Sequence, residues 1–306
     1  MRLIVMGQQA FGKAALEAIL DQGKDEVVAV YCAPDIEGRP IDPIKEFALE
    51  RNLAILQPAD FKDGKVLDEL RELKTDLCVM AYVTIFVPKQ ARDIPKYGSI
   101  CFHPSLLPLH RGPSSINWPI IWGANKTGLS YFWPDDGLDE GQILLQKEIP
   151  ILPDDTLGSV YFDKVFPIGV EATLEAVDLV RSGNPPRIEQ DHSLATYEGW
   201  CNKKVAKVDW NRSVDEVYNL IRGTNPQPGA WTLLDDEVLQ IFDCEKVSSF
   251  SGRTGQISKI TKDGFIITVG RGSILVKRVR LAGEKKVQAI DFVASKGLKV
   301  GTKLGP

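Results

Sequence analysis

Histidine is scarce in this chain, with only three in 306 residues. Cysteine is little used as well. Cys32, Cys78, Cys101, Cys201 and Cys244 are scattered, odd in number and free of any C-x-x-C pair. That argues against a disulfide framework and a zinc site, and for a reducing cytoplasm. No apolar run is long enough to cross a bilayer, so no membrane contact is expected. The opening "MRLIVMGQQAFG" has one basic residue and a short apolar run, but Gly7 follows at once and no small-residue cleavage site appears. It reads as a first buried strand rather than a signal peptide. "GQQAFG" lacks the G-x-G-x-x-G spacing, and no Walker lysine follows, so a dinucleotide site is not expected. Tight turning and close helix packing account for Gly7 and Gly12. Internal repeats and low-complexity tracts are also missing.

What is present reads as an ordinary globular chain, 43% hydrophobic and 25% charged, long enough for two domains. Through residue 150, "RLIVMG", "EVVAVYC", "LAILQ", "DLCVMAY" and "GSICFH" read as strands, with helical patterns between most of them. "GLSYFW" and "QILLQKEIPI" follow each other without a helix, which suggests an antiparallel edge. The rhythm predicts an α/β domain, a Rossmann-like, mostly parallel sheet wrapped by helices. A long helical pattern, "TLGSVYFDKVFPIGVEATLEAVDLVRSG", carries Pro167, which should break or kink it. After one more helix, "EVLQIFDCEKV", "TGQISKIT", "GFIITVG" and "SILVKRVRL" predict a small C-terminal β-barrel, OB-like. The expected division is residues 1–185, a linker at 186–204, and 205–306.

Charge is unevenly shared. From Cys201 onward there are 18 Lys+Arg against 11 Asp+Glu, a net +7, which leaves −11 for the rest of a chain whose total is −4. A basic segment on an acidic chain suits a polyanion such as RNA; a solvated basic face is the plainer reading.

Two of the three histidines fall in "CFHPSLLPLHRG". His103 ends a buried strand, where ligands of parallel sheets gather. An imidazole there can donate to a developing oxyanion or move a proton near neutral pH. Cys101 lies on the same face of the strand. A Cys–His nucleophilic pair and a small core cysteine are both open readings. Thirty-six residues after His103, Asp139 stands with Asp135, Asp136 and Glu140 in a Gly-containing turn. A carboxylate there can orient His103, while Asx bonding explains Asp135 or Asp136 better than Asp139. No His or Cys ligand lies near enough to support a metal. His110 has no assigned role beyond a loop position near the cleft rim, and His192 falls in the linker.

These residues resemble the superfamily of formyltransferases that use 10-formyltetrahydrofolate, over nearly the whole chain. The family pattern Asn-x-His-x-Ser-Leu-Leu-Pro, followed by Leu-Asp-x-Gly, stands here as Cys101-Phe-His103-Pro-Ser105-Leu-Leu-Pro108 and Leu138-Asp139-Glu-Gly141. "GQQAFG" and "VDWNRSVDEVYNLIRGTNPQPGAWT" share in the likeness. The resemblance implies a formyltransferase fold with 10-formyltetrahydrofolate as co-substrate and no metal. It implies a folate cleft lined by Ile85, Phe86 and Val87, by Ser105, Leu106, Leu107 and Pro108, and by the turn holding Asp135 and Asp136. His103 would stabilise the oxyanion of a tetrahedral intermediate, and Asp139 would hold His103 and help move a proton.

The sequence departs from the transferases at Cys101, where a weak thiol donor replaces an amide. This leans toward the hydrolase domain of 10-formyltetrahydrofolate dehydrogenase, as does the short region "APDIEGRPIDPIKEF", which offers little phosphate-binding charge. No aldehyde dehydrogenase module follows the barrel, so the full dehydrogenase reaction is not expected. The basic C-terminal part pulls the other way, toward tRNA. The leading expectation is formyl transfer to an amine such as that of methionyl-tRNA. Hydrolysis with water as acceptor follows it, and a non-catalytic folate- or RNA-binding protein stands third.

Overall fold

The computed structural model describes residues 1–248 and 252–305. These form two compact units. The first comprises Met1–Gly112, Gly128–Ile149 and Lys164–Tyr197; the second comprises Pro113–Thr127, Pro150–Asp163 and Glu198–Pro306. Two stretches of the first half thus pack with the C-terminal residues. Among the described residues no helix is long and apolar enough to cross a membrane.

Seven strands build the first unit's sheet: β1 (Arg2–Gly7), β2 (Glu26–Tyr31), β3 (Ile55–Leu56), β4 (Leu77–Ala81), β5 (Ser99–His103), β6 (Lys126–Phe132) and β7 (Ile143–Pro150). Their order is β3-β2-β1-β4-β5-β6-β7. The first five run parallel, and β6 turns antiparallel against β5. The interior strands are mostly buried because helices cover both faces. The first unit's helices include α1 (Gln9–Gln22), α2 (Pro43–Glu50), α3 (Gly64–Glu72) and the short α4 (Lys89–Arg92); α5 (Asn117–Ile121) belongs to the second unit. Asp42 and Asp63 cap α2 and α3 through their carboxylates.

The two faces differ in packing. On one, Phe11 of α1 stacks on Phe102 at 4.2 Å and meets Phe166 edge-on at 5.6 Å. A Cβ on Gly169 would lie 2.8 Å from Phe11, so the glycine makes room for that stack. On the other, Ile4, Met6, Ala29, Tyr31, Cys78 and Met80 pack with Leu70 and Ala91. The glycines of "GQQAFG" do serve close approach. A Cβ on Gly7 would fall 2.6 Å from the Ala81 carbonyl oxygen, and one on Gly12 3.1 Å from Gly7.

Pro167 does not break the long helix. A short α6 (Leu157–Ser159) runs into a π-helical turn at Val160–Val165, and α7 (Phe166–Arg181) follows with Pro167 in its first turn. A wider turn ahead of a proline accommodates the missing N–H where α-helical register would leave a clash.

The second unit centres on α8 (Val214–Gly223) and an antiparallel sheet. Its strands are β8 (Ala230–Leu234), β9 (Glu237–Val247), β10 (Ile257–Thr261), β11 (Gly264–Thr268), β12 (Ser273–Leu281) and β13 (Val287–Gln288), followed by α9 (Ala289–Lys296). The order is β10-β11-β12-β9-β8, with β13 beside β12. The C-terminal tail bridges the two sheet edges. Leu304 N–H donates to the Gly255 carbonyl and Ile257 N–H to that of Thr302, while Gly305 N–H reaches Leu233 of β8. This barrel-like closure surrounds a core of Leu239, Ile241, Phe265, Ile274, Val276 and Phe292. Ser213 and Glu216 cap α8 reciprocally.

Candidate active site

The carboxyl ends of β1, β4 and β5 share one edge of the parallel sheet. Gly7 pairs with Ala81, and Met80 with Cys101, so His103 lies past the β4 ladder while still paired with Ser130 of β6. Its strand neighbour Phe102 turns to the aromatic face, which leaves Cys101 and His103 on the opposite one.

His103 is 7% exposed and held from two sides. Its Nε2 lies 2.9 Å from the His110 carbonyl oxygen. A carbonyl only accepts, so Nε2 carries a proton, and Nδ1 can donate only when the ring is doubly protonated. Its Nδ1 faces Asp139 Oδ2 at 3.5 Å. That gap is longer than a tight hydrogen bond, which leaves Nδ1 as the nitrogen able to change partner. Asp139 Oδ2 also accepts the Gly112 N–H at 2.8 Å. The loop after β5 and the turn after β6 therefore meet at one imidazole.

The acidic turn does not work as a cluster. Asp135 accepts the Gly137 N–H at 3.0 Å, an Asx turn. Asp136 pairs with the buried Arg92 at 2.7 Å. Glu140 accepts from Tyr197 OH at 2.6 Å. Only Asp139 is directed at His103. Its backbone is left-handed, with φ +56°, and so is that of His110, with φ +57°.

Cys101 is half-buried, and its Sγ lies 3.7 Å from the Phe102 carbonyl oxygen. Burial pushes its thiol well above the usual range, aided by the negative charge of Asp139 and by Cys78. The thiol is protonated at neutral pH, which is the wrong state for a nucleophile.

The expected folate residues occupy varied settings. Ile85 lines a narrow slot with Met6, Gly7, Gln8, Tyr31, Cys32, Ala33, Phe61 and Val83 at the same sheet edge. Phe86 is exposed beneath Lys62, while Val87 is buried and its carbonyl accepts from Arg92. Ser105 is fully buried and donates to the Leu109 carbonyl at 2.6 Å, which gives it a turn-forming role. Leu106 fills the space above Gly128, and Leu107 packs with Phe132 and Ile143. The Pro108 carbonyl accepts the Thr196 N–H at 3.2 Å. No group of three or more His, Cys, Asp or Glu side chains among the described residues is arranged to hold a metal ion.

Sequence reasoning passed over Arg111 and Gln190. Arg111 is 1% exposed and spends its guanidinium on Gln190, Tyr197 and His192. A charged residue directly after His110, in an otherwise apolar and proline-rich stretch, was the available signal. Gln190 carries none, since nothing local marks one buried amide in a polar segment.

A parallel sheet with a titratable pair at its carboxyl edge, followed by a closed antiparallel unit, defines an α/β enzyme of two parts. Residues 1–176 match the formyl transferase family, and residues 201–297 match the formyl transferase C-terminal domain. The chain belongs to the formyl transferase family and is an enzyme of that class. It is 36% identical over 310 residues to a methionyl-tRNA formyltransferase of Geobacter sulfurreducens, covering 100% of this chain and 97% of that one. It is also 36% identical over 307 residues to the cytosolic 10-formyltetrahydrofolate dehydrogenase of Xenopus tropicalis. That match covers 95% of this chain but only 34% of the longer protein. Among solved structures, the N-formyltransferase of Helicobacter canadensis, in complex with folinic acid and dTDP-3-aminofucose, shares the fold. It superposes with a TM-score of 0.70 at 18% identity, over 90% of this chain and 98% of that one.

Proposed function

We propose that this enzyme takes the formyl group of 10-formyltetrahydrofolate and passes it to an amine, that of methionyl-tRNA, with His103 and Asp139 as the reacting pair. The observation that carries the reading is the 3.5 Å approach of Asp139 Oδ2 to His103 Nδ1, with Nε2 already committed to the His110 carbonyl. The acceptor amine attacks the formyl carbon, and the carbonyl oxygen becomes an oxyanion that His103 Nδ1–H stabilises. Collapse breaks the bond to N10. The amine gives up one proton and N10 gains one, a transfer that the His103–Asp139 pair relays. Ile85, Phe86, Val87, Ser105, Leu106, Leu107, Pro108, Asp135 and Asp136 frame the folate side, several of them as supports rather than contacts. Cys101 adds a small neutral neighbour to the imidazole. The five free cysteines suit a reducing cytoplasm.

The tRNA acceptor draws support from the second unit as well as from the relatives. Lys203 and Lys207 lie over the Trp231 ring at 5.2 and 5.6 Å, and Trp231 pairs with Gln240 on the neighbouring strand. Gln240 in turn accepts from Arg280 at 2.7 Å, and Lys286 sits over Phe242 at 3.7 Å. This row of cations crosses β8, β9 and β12 beside a half-exposed indole, a combination suited to phosphate and base contacts. Hydrolysis is the second reading, favoured by Cys101 in the place of an amide donor. Incubation with 10-formyltetrahydrofolate alone separates the two. Transfer predicts slow turnover until methionyl-tRNA is added, and fast acceptor-free release of formate would establish the hydrolase.

A further inference from the structure

We propose that Gln190 is a positioning residue for the His103–Asp139 pair, its single amide fixing the separation of the two loops that carry the chemistry. The inference rests on the reading of that pair given above. Gln190 is 5% exposed, and every arm of its amide is used. Nε2 donates to the Asp139 carbonyl at 2.9 Å and to the Gly141 carbonyl at 2.7 Å. Oε1 accepts from Arg111 Nε at 3.2 Å and Nη2 at 2.7 Å. Arg111 directly follows His110, whose carbonyl holds His103 Nε2. One end of the amide therefore grips the loop behind Nε2, and the other grips the turn that aims Asp139 at Nδ1.

The segment around Gln190 acts as a strap across both loops. Thr196 Oγ1 accepts the His110 N–H at 2.8 Å, and the Arg111 N–H donates to the Thr196 carbonyl at 3.0 Å. Arg111 Nη1 donates to Tyr197 OH, which donates to Glu140. His110 and Asp139 are both non-glycine residues in the left-handed region, and the strap hydrogen-bonds to the backbone of each. Only a side chain with donors at one face and an acceptor at the other satisfies both loops at once. Glutamate keeps the Arg111 side, gaining an ion pair there, but turns carboxylate oxygen against two carbonyls. Gln190→Glu should therefore fold while losing its hold on Asp139, whereas Gln190→Leu loses both.

The test is a double-mutant cycle on turnover of 10-formyltetrahydrofolate, with methionyl-tRNA and without acceptor, using whichever reaction the purified enzyme performs. Gln190→Glu is expected to lower kcat roughly 10- to 100-fold, the range for a small misplacement at a reacting centre. The folate KM should stay within about threefold. In an Asp139→Asn background the same change should cost less than about twofold, since a residue acting through Asp139 has nothing left to position. A Gln190→Glu enzyme that folds with kcat intact overturns the inference. So does a loss that multiplies in full with that of Asp139→Asn. If Gln190→Glu fails to fold, the Gln190→Leu cycle, read at a temperature where that variant is folded, decides by the same criterion. An Asp139→Asn enzyme with full activity is a separate result: it removes the reacting pair itself, and Gln190 with it.

Discussion

Asp139→Asn is the change that interrogates the reacting pair most directly. The His103 and Asp139 side chains are 8% and 19% exposed, so their interaction is only partly screened. At their 3.5 Å separation and an effective dielectric of about 20, an imidazolium and a carboxylate attract by about 5 kcal/mol. Water at the open side weakens this, and about 3 kcal/mol corresponds to roughly a 10²-fold change in rate. Loss of a single oxyanion-stabilising donor elsewhere costs about 10²–10³, in the same range. Asparagine keeps an oxygen for the Gly112 N–H, so the turn and the fold should survive. The assay is single-turnover release of tetrahydrofolate, with and without methionyl-tRNA, alongside the folate KM and the thermal midpoint. The expected result is a fall of about 10²–10³ in the chemical step for transfer and hydrolysis alike, with KM nearly unchanged. A rate within about threefold of the parent enzyme, at an unchanged thermal midpoint, would refute the reasoning. So would a loss that appears wholly in KM.

Three further outcomes follow from the charges around the site and on the second unit. The raised Cys101 thiol should alkylate much more slowly than an exposed cysteine near pH 7, and Asp139→Asn should speed the reaction at alkaline pH by removing a charge that opposes the thiolate. Peptide mapping after iodoacetamide treatment reads this, and a rate at pH 7 equal to that of free cysteine contradicts it. Replacing Lys203, Lys207 and Lys286 together with alanine should weaken tRNA binding and reduce the salt slope by about 0.9 for each duplex phosphate no longer neutralised. Burial and the neighbouring Arg278 and Arg280 lower the Lys286 pKa, so its charged form is disfavoured in the fold. Lys286→Ala alone should therefore raise the thermal midpoint at pH values below the ordinary lysine range, and an unchanged salt slope in the triple variant would remove this face from tRNA recognition.

Much of the architecture was legible because hydrophobic periodicity dictates it. "RLIVMG" and "SILVKRVRL" became strands with the expected limits. The four-residue α4 is not legible because one turn carries too little pattern, and β8 is not because it follows directly on a Pro/Gly turn. At Pro167 the helix continues instead of breaking. A proline rule describes α-helical register, and here a π turn supplies another register just before it. The strand-end rule singles out His103 and the glycine turn offers Asp139, and the fold brings their side chains within 3.5 Å. Which ring nitrogen faces the carboxylate depends on the His110 carbonyl, a backbone atom that no side-chain motif encodes. Gln190 lies 51 residues from Asp139 and 79 from Arg111, so its role exists only after folding has brought three segments together.

The backbone at His110 and Asp139 links strain to chemistry. A left-handed residue other than glycine costs about 1–2 kcal/mol, though Asp and His are among the types found there most often. Two such residues flank one imidazole, at φ +57° and +56°. Glycine at 139 would relieve the backbone but delete the carboxylate, so at that position strain and the proposed role reside in one residue. The Asp139 conformation lets its carboxylate accept the Gly112 N–H while facing His103, and the strap contributes hydrogen bonds of about 1 kcal/mol each at both residues. These are enough to offset much of the conformational cost. The geometry of the proposed pair is thus set less by the rotamers of His103 and Asp139 than by two loops pinned to a common strap. On the proposed reading, substitutions in residues 188–197 should consequently alter the His103–Asp139 approach through the backbone.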